Sequence, residues 1–370
     1  MPIYGAEGGY HTAGDIVRET IDGRDINGLW DEFQAVLQIV NSQRTTITNL
    51  LSFRTTRSAD LVAQSTEDSG FDLASEFGVP TALRPEHPLI KVGFSFRDYD
   101  KASRATWRFL RDATTEQVQA THRAALSADN KLTTEAILAR VLNPTPGENE
   151  DGVPAFGLYN GDDMAPPRSG FQTFTAGHDH YLTSESDTLD GKDLDDLARH
   201  VSHHGYGSLP GTRLLLFVNP EDLPAVASIR AGDNGATYDF ITSEGAPAYL
   251  ATDTLVGDRP PGEFNGLRIA GSYGDVWIAP VEMLPPGYLI MAATDGPNGS
   301  LNAVGFREHP TPAFQGLRLM PGNQNGYPLV ESFYARAFGV GVRHRGAAAV
   351  LQITPSALYT PPAELAGVVL

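Results

Sequence analysis

The sequence predicts an α+β fold, because helical and strand-like patterns both occur without the regular alternation that marks a parallel sheet. A helical apolar pattern lies near the start, over about Ile26 to Gln43. A longer one follows Thr114 and continues for roughly 28 residues. The chain ends with two β-like apolar runs within Glu331–Ile353, which flank a basic, glycine-spaced turn.

Composition excludes several classes of protein. The 370 residues carry a formal net charge of -18, whereas a protein that grips DNA phosphates needs a basic face. The absence of cysteine excludes disulfides and thiolate metal sites. No apolar run approaches the ~20 residues that span a bilayer, and the start lacks a signal-peptide pattern. We therefore expect no specific nucleic-acid binding and no membrane association.

The start of the chain is polar and glycine-rich, which is typical of an extended arm. Asp25 is a suitable N-cap for the helix predicted over about Ile26 to Gln43. The apolar residues of this helix recur three and four apart, so one face must dock on another part of the protein. They are Ile26, Leu29, Trp30, Phe33, Val36, Leu37 and Val40.

Two β-like segments enclose a long polar stretch. Thr45–Phe53 is rich in β-forming residues and Ile90–Phe96 alternates, while the residues between them carry acidic, glycine and proline punctuation. This pattern predicts a projecting two-stranded hairpin. A connection of this length inside a compact domain is usually functional.

Thr114 opens the longest predicted helix. Thr114 and Gln117 have the spacing of a capping box, and Asn143–Pro144 stops the helix. At 1.5 Å per residue the helix is ~40 Å long, which suits a spine lying along a sheet.

The second half of the chain mixes helices and strands. Loop is predicted from Pro144 to Ser169, then a helix over about Asp187 to Gly205, capped by Gly205. Asn219 and Pro220 are expected to start a short helix. Strands are predicted over Leu214–Val218, Leu267–Ala270, Asp275–Ala279 and Tyr288–Ala293.

Histidines are the strongest hint of enzymatic chemistry. His178, His180, His200, His203 and His204 could supply imidazole ligands, but their spacing matches no zinc-protease motif. The simpler interpretation places His178 and His180 on a strand and the others at a helix C-terminus, where the helix dipole favours them. We therefore predict no metal site, no cofactor and no catalytic residue.

The glycine-rich segment Gly339–Gly346 is not a nucleotide-binding motif. Its third glycine position is occupied by His344, and the strand, helix and acidic residue that give the motif meaning are missing. A turn or strand bulge is the favoured interpretation.

Arginine supplies most of the positive charge, because the only lysines are Lys91, Lys101, Lys131 and Lys192. Protein interfaces are enriched in arginine and depleted in lysine, so the arginines are expected to be used largely in contacts between subunits. For any one of them, ordinary surface charge is the simpler interpretation. The candidate contact residues are Trp30, Phe33, Arg54, Arg57, Glu67, Asp68, Glu76, Arg84, Arg97 and Arg108.

The order of these elements resembles the Hong Kong-97-type fold of tailed-phage major capsid proteins, particularly those of phages that infect actinobacteria. The resemblance covers about Asn27 to Ile353 and is specific only as a set of short segments. These are Ala105–Thr114, Ala124–Leu132, His203–Tyr206, Tyr238–Ile241, Asn265–Leu267, Gly271–Gly274, Gly305–His309, Gly316–Leu319 and Glu331–Ile353.

The resemblance implies five parts. They are an N-terminal arm with the amphipathic helix at 1–44, an E-loop hairpin at 45–99, a P-domain with the spine helix at 100–150, a mixed α/β A-domain at 151–325 into which P-domain strands can fall, and return strands with a C-terminal tail at 326–370. The hairpin is expected to lie on a neighbouring subunit. The amphipathic helix is expected to dock under the spine helix of its own or an adjacent subunit.

The resemblance also implies a function, namely self-assembly into hexamers and pentamers of an icosahedral head that encloses the phage genome. Expected partners are copies of the chain, a portal, decoration proteins and a separate scaffolding protein. A separate scaffold is expected because a first helix near Ile26 leaves no room for an N-terminal scaffolding extension. The expected location is the virion, after assembly in the host bacterial cytoplasm. Covalent crosslinking is not expected, because Lys91 is the hairpin's only lysine and lies near its base.

Two alternatives remain at this point. An encapsulin-like compartment shares the fold and would be encoded beside a cargo enzyme. A metal-dependent hydrolase would use His178, His180, His200 and His203, and metal analysis of the purified protein would identify it.

Overall fold

The structure is a computed structural model that describes residues 19–43, 45–63, 73–74, 76–78, 89–162, 178–207, 211–246, 258–322 and 329–368. The chain divides into two compact units, each made of three stretches of sequence. The first comprises Met1–Thr45, Arg97–Thr133 and Glu308–Phe338. The second comprises Thr46–Phe96, Thr134–Arg307 and Gly339–Leu370.

Helices and strands both contribute to the described residues, as an α+β fold requires. The helices are α1 Ile26–Gln43, α2 Thr46–Leu51, α3 Trp107–Asp112, α4 Thr115–Leu142, α5 Gly191–Ser202 and α6 Leu223–Ala227. The strands are β1 Ser52–Thr55, β2 Ala59–Ala63, β3 Leu89–Gly93, β4 Arg97–Thr106, β5 Gly147–Glu148, β6 Pro154–Ala155, β7 Tyr181–Thr183, β8 Arg213–Val218, β9 Phe240–Thr242, β10 Glu263–Phe264, β11 Leu267–Arg268, β12 Gly271–Tyr273, β13 Val276–Pro280, β14 Tyr288–Thr294, β15 Val304–Glu308, β16 Arg318–Pro321, β17 Leu329–Val342 and β18 Ala348–Gln352. Short 3₁₀ turns lie at Pro312–Phe314 and Ala363–Leu365.

The first unit pairs β17 antiparallel with both β4 and β16. Helix α1 and the start of α4 belong to the same unit, whose core contains Leu37, Leu317, Leu319 and Tyr334. Four partly buried apolar residues pack against this core, namely Trp30 and Phe33 of α1 and Ala125 and Leu126 of α4. The amphipathic pattern of α1 explains the contacts of Trp30 and Phe33.

The second unit is built on a seven-stranded sheet in the order β7-β18-β14-β8-β13-β12-β9. Strand β14 lies inside this sheet, where it pairs antiparallel with β18 on one side and β8 on the other. All seven residues of β14 are buried, which explains why its sequence is a continuous apolar run rather than an alternating one.

The residues predicted to cap the starts of α1 and α4 act as predicted. The Asp25 carboxylate accepts hydrogen bonds from the backbone N–H groups of Asn27 (3.2 Å) and Gly28 (3.3 Å) at the start of α1. Before α4, the Thr114 hydroxyl accepts from the N–H of Gln117 at 3.4 Å, and the Gln117 side chain accepts from the N–H of Thr114 at 2.9 Å. Helix α4 then runs for 28 residues.

The β-like segment Thr45–Phe53 is the first correction, because Thr46–Leu51 forms helix α2 and only Ser52–Thr55 is a strand. Leu50 and Leu51 are almost fully buried, and the Ser52 hydroxyl donates to the carbonyl of Thr48 at 2.6 Å. Tertiary burial therefore overrides the β propensity of this segment. The hairpin strand is β2 instead, which pairs antiparallel with β3 from Ala59↔Gly93 to Ala63↔Leu89.

The short helix expected at Pro220 begins three residues later, at Leu223. The Asn219 side chain accepts from the N–H of Glu221 at 2.8 Å and donates to the carbonyl of Leu284 at 2.6 Å. It therefore forms a local turn instead of a helix cap. The helix expected over Asp187–Gly205 is shorter, at Gly191–Ser202, because Asp190 and Asp193 form a capping box there.

The turn predicted within Gly339–Gly346 is confirmed only for its second half, since Gly339–Val342 ends strand β17 and the turn lies between Val342 and Ala348. A Cβ atom on Gly339 would lie 1.7 Å from the carbonyl oxygen of Ser95. The N–H of Ser95 donates to the carbonyl of Val340 at 3.2 Å. Glycine is thus required here by the close approach of two backbones.

Candidate contact residues and histidine cluster

Four of the candidate arginines lie within the described residues, and all four are at the surface. Arg54, Arg97 and Arg108 are exposed. Arg57 is exposed over 76% of its side chain and pairs with the buried Asp60 at 3.0 Å. An exposed guanidinium of this kind contributes little to the stability of a single chain and remains available for contacts.

The acidic candidates are only partly described. Glu76 is exposed. Glu67, Asp68 and Arg84 lie outside the described residues. Beside Glu76 stand two apolar side chains that are almost fully exposed, namely Leu73 at 99% and Phe77 at 92%. Polar residues dominate this stretch of sequence, so the pattern gave these two no special weight.

Trp30 and Phe33 pack within their own chain, in the first unit. The Phe33 ring stacks on the imidazole of His122, with centroids 4.2 Å apart and planes 11° apart. His122 is buried and its Nδ1 lies 2.8 Å from the Tyr334 hydroxyl. Burial lowers the pKa of His122, so this imidazole is neutral near pH 7 and packs as an aromatic ring.

Replacing both aromatic residues of α1 is expected to weaken the chain itself. Because Trp30 and Phe33 are half-buried, the W30A/F33A variant should lose about 2 kcal/mol at each site, below the cost of a fully buried ring. Chemical unfolding of the unassembled protein measures this loss. Ile39→Ala on the same helix is the matched control, since Ile39 is 56% exposed. An unchanged unfolding midpoint in the double variant would contradict the packing described here.

Several arginines are used inside the chain, and the expectation that arginines serve mainly contacts between subunits stays a prediction for the exposed ones. Arg336 pairs with Asp129 at 2.7 Å and has Glu308 at 3.8 Å, and all three side chains are buried. Arg140 is 1% exposed and donates to the backbone carbonyls of Ala155, Asn143 and Thr145. The sequence did not predict these roles, because an arginine within an apolar segment gives no sign of which groups it will contact.

Arg345 is a further buried arginine. Its two terminal nitrogens each lie 2.9 Å from a carboxylate oxygen of Asp162, a bidentate pair, and Nε donates to the carbonyl of Gly157 at 3.2 Å. Arg345, one of the basic residues near Gly346, is therefore used in contacts within the chain.

Hydrogen bonds attach the base of the hairpin to the rest of the second unit. The Asp60 carboxylate accepts from Arg57 and, through its other oxygen, from Nε of Arg343 at 3.0 Å. The carbonyl of Ser58 accepts from the Asn149 side chain and from the N–H of Phe94, both at 2.9 Å. Strands β2 and β3 are thus anchored where they leave the unit.

The histidines converge more closely than their spacing suggested. His178, His180 and His204 each present a ring nitrogen, and these three atoms lie within 4.8 Å of one another. The His200 ring stacks on His178 with centroids 4.7 Å apart and planes 4° apart. His204 thus takes the place that the hydrolase hypothesis gave to His203, whose ring centroid lies 6.1 Å from that of His178.

The electrostatics of this cluster favour neutral imidazoles. Burial, together with the neighbouring histidines, lowers the pKa of His178 to about 4. Burial also lowers the pKa of His180 well below its ordinary value. Neutral imidazole is the form that binds metal ions, and the lowered pKa values keep His178 and His180 in that form.

Comparison with known proteins places these observations in a family. No protein-family model matches the chain, and no curated protein matches it. A structure from Mycobacterium phage Patience is 36% identical, covers 98% of both chains and superposes with a TM-score of 0.74.

Two further structures are similar at much lower identity, and of these the first shows the fold. The mature capsid of bacteriophage PhiM1 is 9% identical with a TM-score of 0.50, over 84% of this chain and 87% of that chain. An encapsulin complex from Synechococcus elongatus is 13% identical with a TM-score of 0.46, over 88% of this chain and 97% of that chain. None of the described helices is long and apolar enough to cross a membrane. With the α+β fold, the order of elements and the phage relative at 36% identity, the chain is a member of the actinobacteriophage major capsid protein family, which has the Hong Kong-97-type fold.

Proposed function

We propose that this chain tiles the icosahedral head of a tailed double-stranded DNA phage as hexamers and pentamers of itself. The observation that carries the proposal, beyond family membership, is the exposed apolar surface of the hairpin region. Leu73 and Phe77 are more than nine-tenths exposed, and Leu61 and Leu89 of the hairpin strands are 63% and 59% exposed. Exposed apolar side chains of this size are candidates for a surface that a partner covers.

The partner that suits this surface is another copy of the chain. A two-stranded ribbon such as β2–β3 is marginal in water unless it packs against something. The exposed Arg54, Arg57 and Glu76 are proposed to add polar contacts in the hairpin region, and the exposed Arg97 and Arg108 of the first unit are separate candidates for contacts with other copies. We assign Glu67, Asp68 and Arg84 to the same contact surface on sequence grounds. We also propose the five parts of the fold: the N-terminal arm at 1–44, the E-loop at 45–99, the P-domain at 100–150, the A-domain at 151–325 and the return strands with the tail at 326–370.

Further partners follow from the role of a shell protein. A separate scaffolding protein, a portal and decoration proteins are proposed, with assembly in the cytoplasm of the host bacterium and the mature protein in the virion. The net charge of -18 supports a wall that does not retain DNA through phosphate contacts. The chemistry proposed is assembly without catalysis.

Removing the hairpin tip should abolish shells and leave the subunit folded. Deletion of Ser65–Pro85 leaves Gln64, Glu86, His87 and Pro88 between the paired residues Ala63 and Leu89, a suitable length for a hairpin loop. Electron microscopy of the purified wild-type protein should show closed particles, while the deletion variant should show only small oligomers with an unchanged circular dichroism spectrum.

A point variant makes the same test with less disturbance. L73S/F77S should assemble poorly and keep the stability of the single chain, because both side chains are exposed in it. Leu358→Ser is the matched control, since Leu358 is 79% exposed outside the hairpin. Normal shells from the deletion variant would contradict the role of the hairpin. If the wild-type protein formed no particles, either alone or with a scaffolding protein, the proposed function would be wrong.

A further inference from the structure

Three histidines of the second unit point their Nε2 atoms toward one place. The Nε2 atom of His204 lies 3.0 Å from that of His180 and 3.4 Å from that of His178. His180 is fully buried, His204 is 7% exposed, and His178 is half-buried. Two segments supply these residues: His178 and His180 precede β7, and His204 follows α5.

The position of His180 is fixed by the sheet. Its Nδ1 lies 2.6 Å from the carbonyl oxygen of Ala348 in β18, so Nδ1 must carry the hydrogen and donate it. In a neutral ring, Nε2 therefore presents a lone pair to His204. Metal-binding histidines are commonly oriented in this way, with the other ring nitrogen donating to a backbone carbonyl.

A hydrogen bond alone does not explain both contacts of His204. A single hydrogen on Nε2 of His204 can serve the lone pair of His180 or that of His178, but not both at full strength. A cation at the centre would accept lone pairs from all three atoms. Zinc binds imidazole nitrogen at 2.0–2.1 Å, so two ligands of a tetrahedral site are separated by about 3.3 Å. The two separations from His204, 3.0 and 3.4 Å, are close to that value, and all three nitrogens lie within 4.8 Å of one another.

We propose that His178, His180 and His204 bind one divalent cation of the zinc class, with solvent as the fourth ligand on the half-buried side of His178. Imidazole ligands favour zinc, copper, nickel and iron over magnesium or calcium. The role is structural, because the cation would tie the end of α5 to the strand pair β7–β18, and binding that occurs only in the folded state stabilises it.

Metal content of untagged protein is the direct test. The chain should be dialysed against a chelator, then against buffer containing zinc, and analysed by mass spectrometry of the metal. We expect about one zinc per chain and a melting temperature that rises with zinc. Cobalt(II) should give the visible absorption of a four-coordinate site with nitrogen ligands. No bound metal above background together with an unchanged melting temperature would overturn the proposal.

Variants separate ligation from folding. H178N and H204N should lose at least about tenfold in zinc affinity, and H178N should fold because His178 is only half-buried. His203→Asn is the matched control, since it lies in the same cluster but outside the three converging nitrogens. Equal loss of zinc affinity in H203N and H178N would contradict the assignment. Shells that form without any metal binding would remove this inference and leave the assembly function intact.

Discussion

Replacing Arg336 with alanine is expected to destabilise the protein by about 3–5 kcal/mol, the usual cost of removing one partner from a buried ion pair. The guanidinium of Arg336 bonds to Asp129 at 2.7 Å and lies 3.8 Å from Glu308, and each of these side chains is less than one-tenth exposed. Without Arg336, two carboxylates would face each other in the core of the first unit. Equilibrium unfolding in urea measures the effect.

The environment of Asp129 explains why the loss should be large. Burial raises the pKa of Asp129, even though Arg336 lowers it. Removing Arg336 leaves burial and the charge of Glu308 to raise that pKa further, so the variant should recover part of its stability as pH falls toward the raised pKa of Asp129. This direction is opposite to ordinary acid denaturation.

Two comparisons make the Arg336 result specific. Arg104→Ala removes an ion pair with Glu331 of similar length, 2.9 Å, but Arg104 is 61% exposed, so its loss should cost less than about 1 kcal/mol. The D129N/R336M double variant removes both charges and should be more stable than R336A. An R336A cost no larger than that of R104A would show that the buried pair contributes little.

Replacing Gly339 with alanine is expected to cost about 3 kcal/mol or more, at the upper end of the range for overpacking. The added Cβ would lie 1.7 Å from the carbonyl oxygen and 2.2 Å from the carbonyl carbon of Ser95. Backbone atoms cannot rotate away as a side chain can. Strand β17 would have to separate from Ser95, which would break the hydrogen bond from Ser95 to Val340.

Gly367→Ala is the control for Gly339→Ala. A Cβ at Gly367 would meet no atom within 4 Å, so this variant should be neutral or slightly more stable, as glycine-to-alanine changes are where the backbone permits them. Thermal unfolding of both variants gives the difference. Similar melting temperatures for the two would show that β17 and Ser95 are not held together as described.

Local patterns were sufficient for the helices that carry their own start and stop signals. The bounds of α1 and the capping box of α4 follow from Asp25, Thr114 and Gln117, because capping depends on residues three or four apart. Helix α2 could not be predicted in this way. Its β-rich residues become helical because Leu50 and Leu51 are buried by parts of the chain that are distant in sequence.

Site residues were harder to predict, for the same physical reason. The partner of Arg336 is 207 positions away, and the carbonyl that orients His180 belongs to a residue 168 positions away. No spacing rule joins such pairs. The convergence of His178 with His204 likewise depends on how α5 packs beside β18, which periodicity within either segment does not reveal.

The anchoring of the hairpin base has a mechanical consequence. A force on the free end of a ribbon that is fixed at its base is transmitted to the base as torque. The base here is held by Asp60 with Arg343, together with the Ser58 carbonyl and the Asn149 side chain. A load on the outer part of the ribbon therefore reaches the end of β17 within the same subunit.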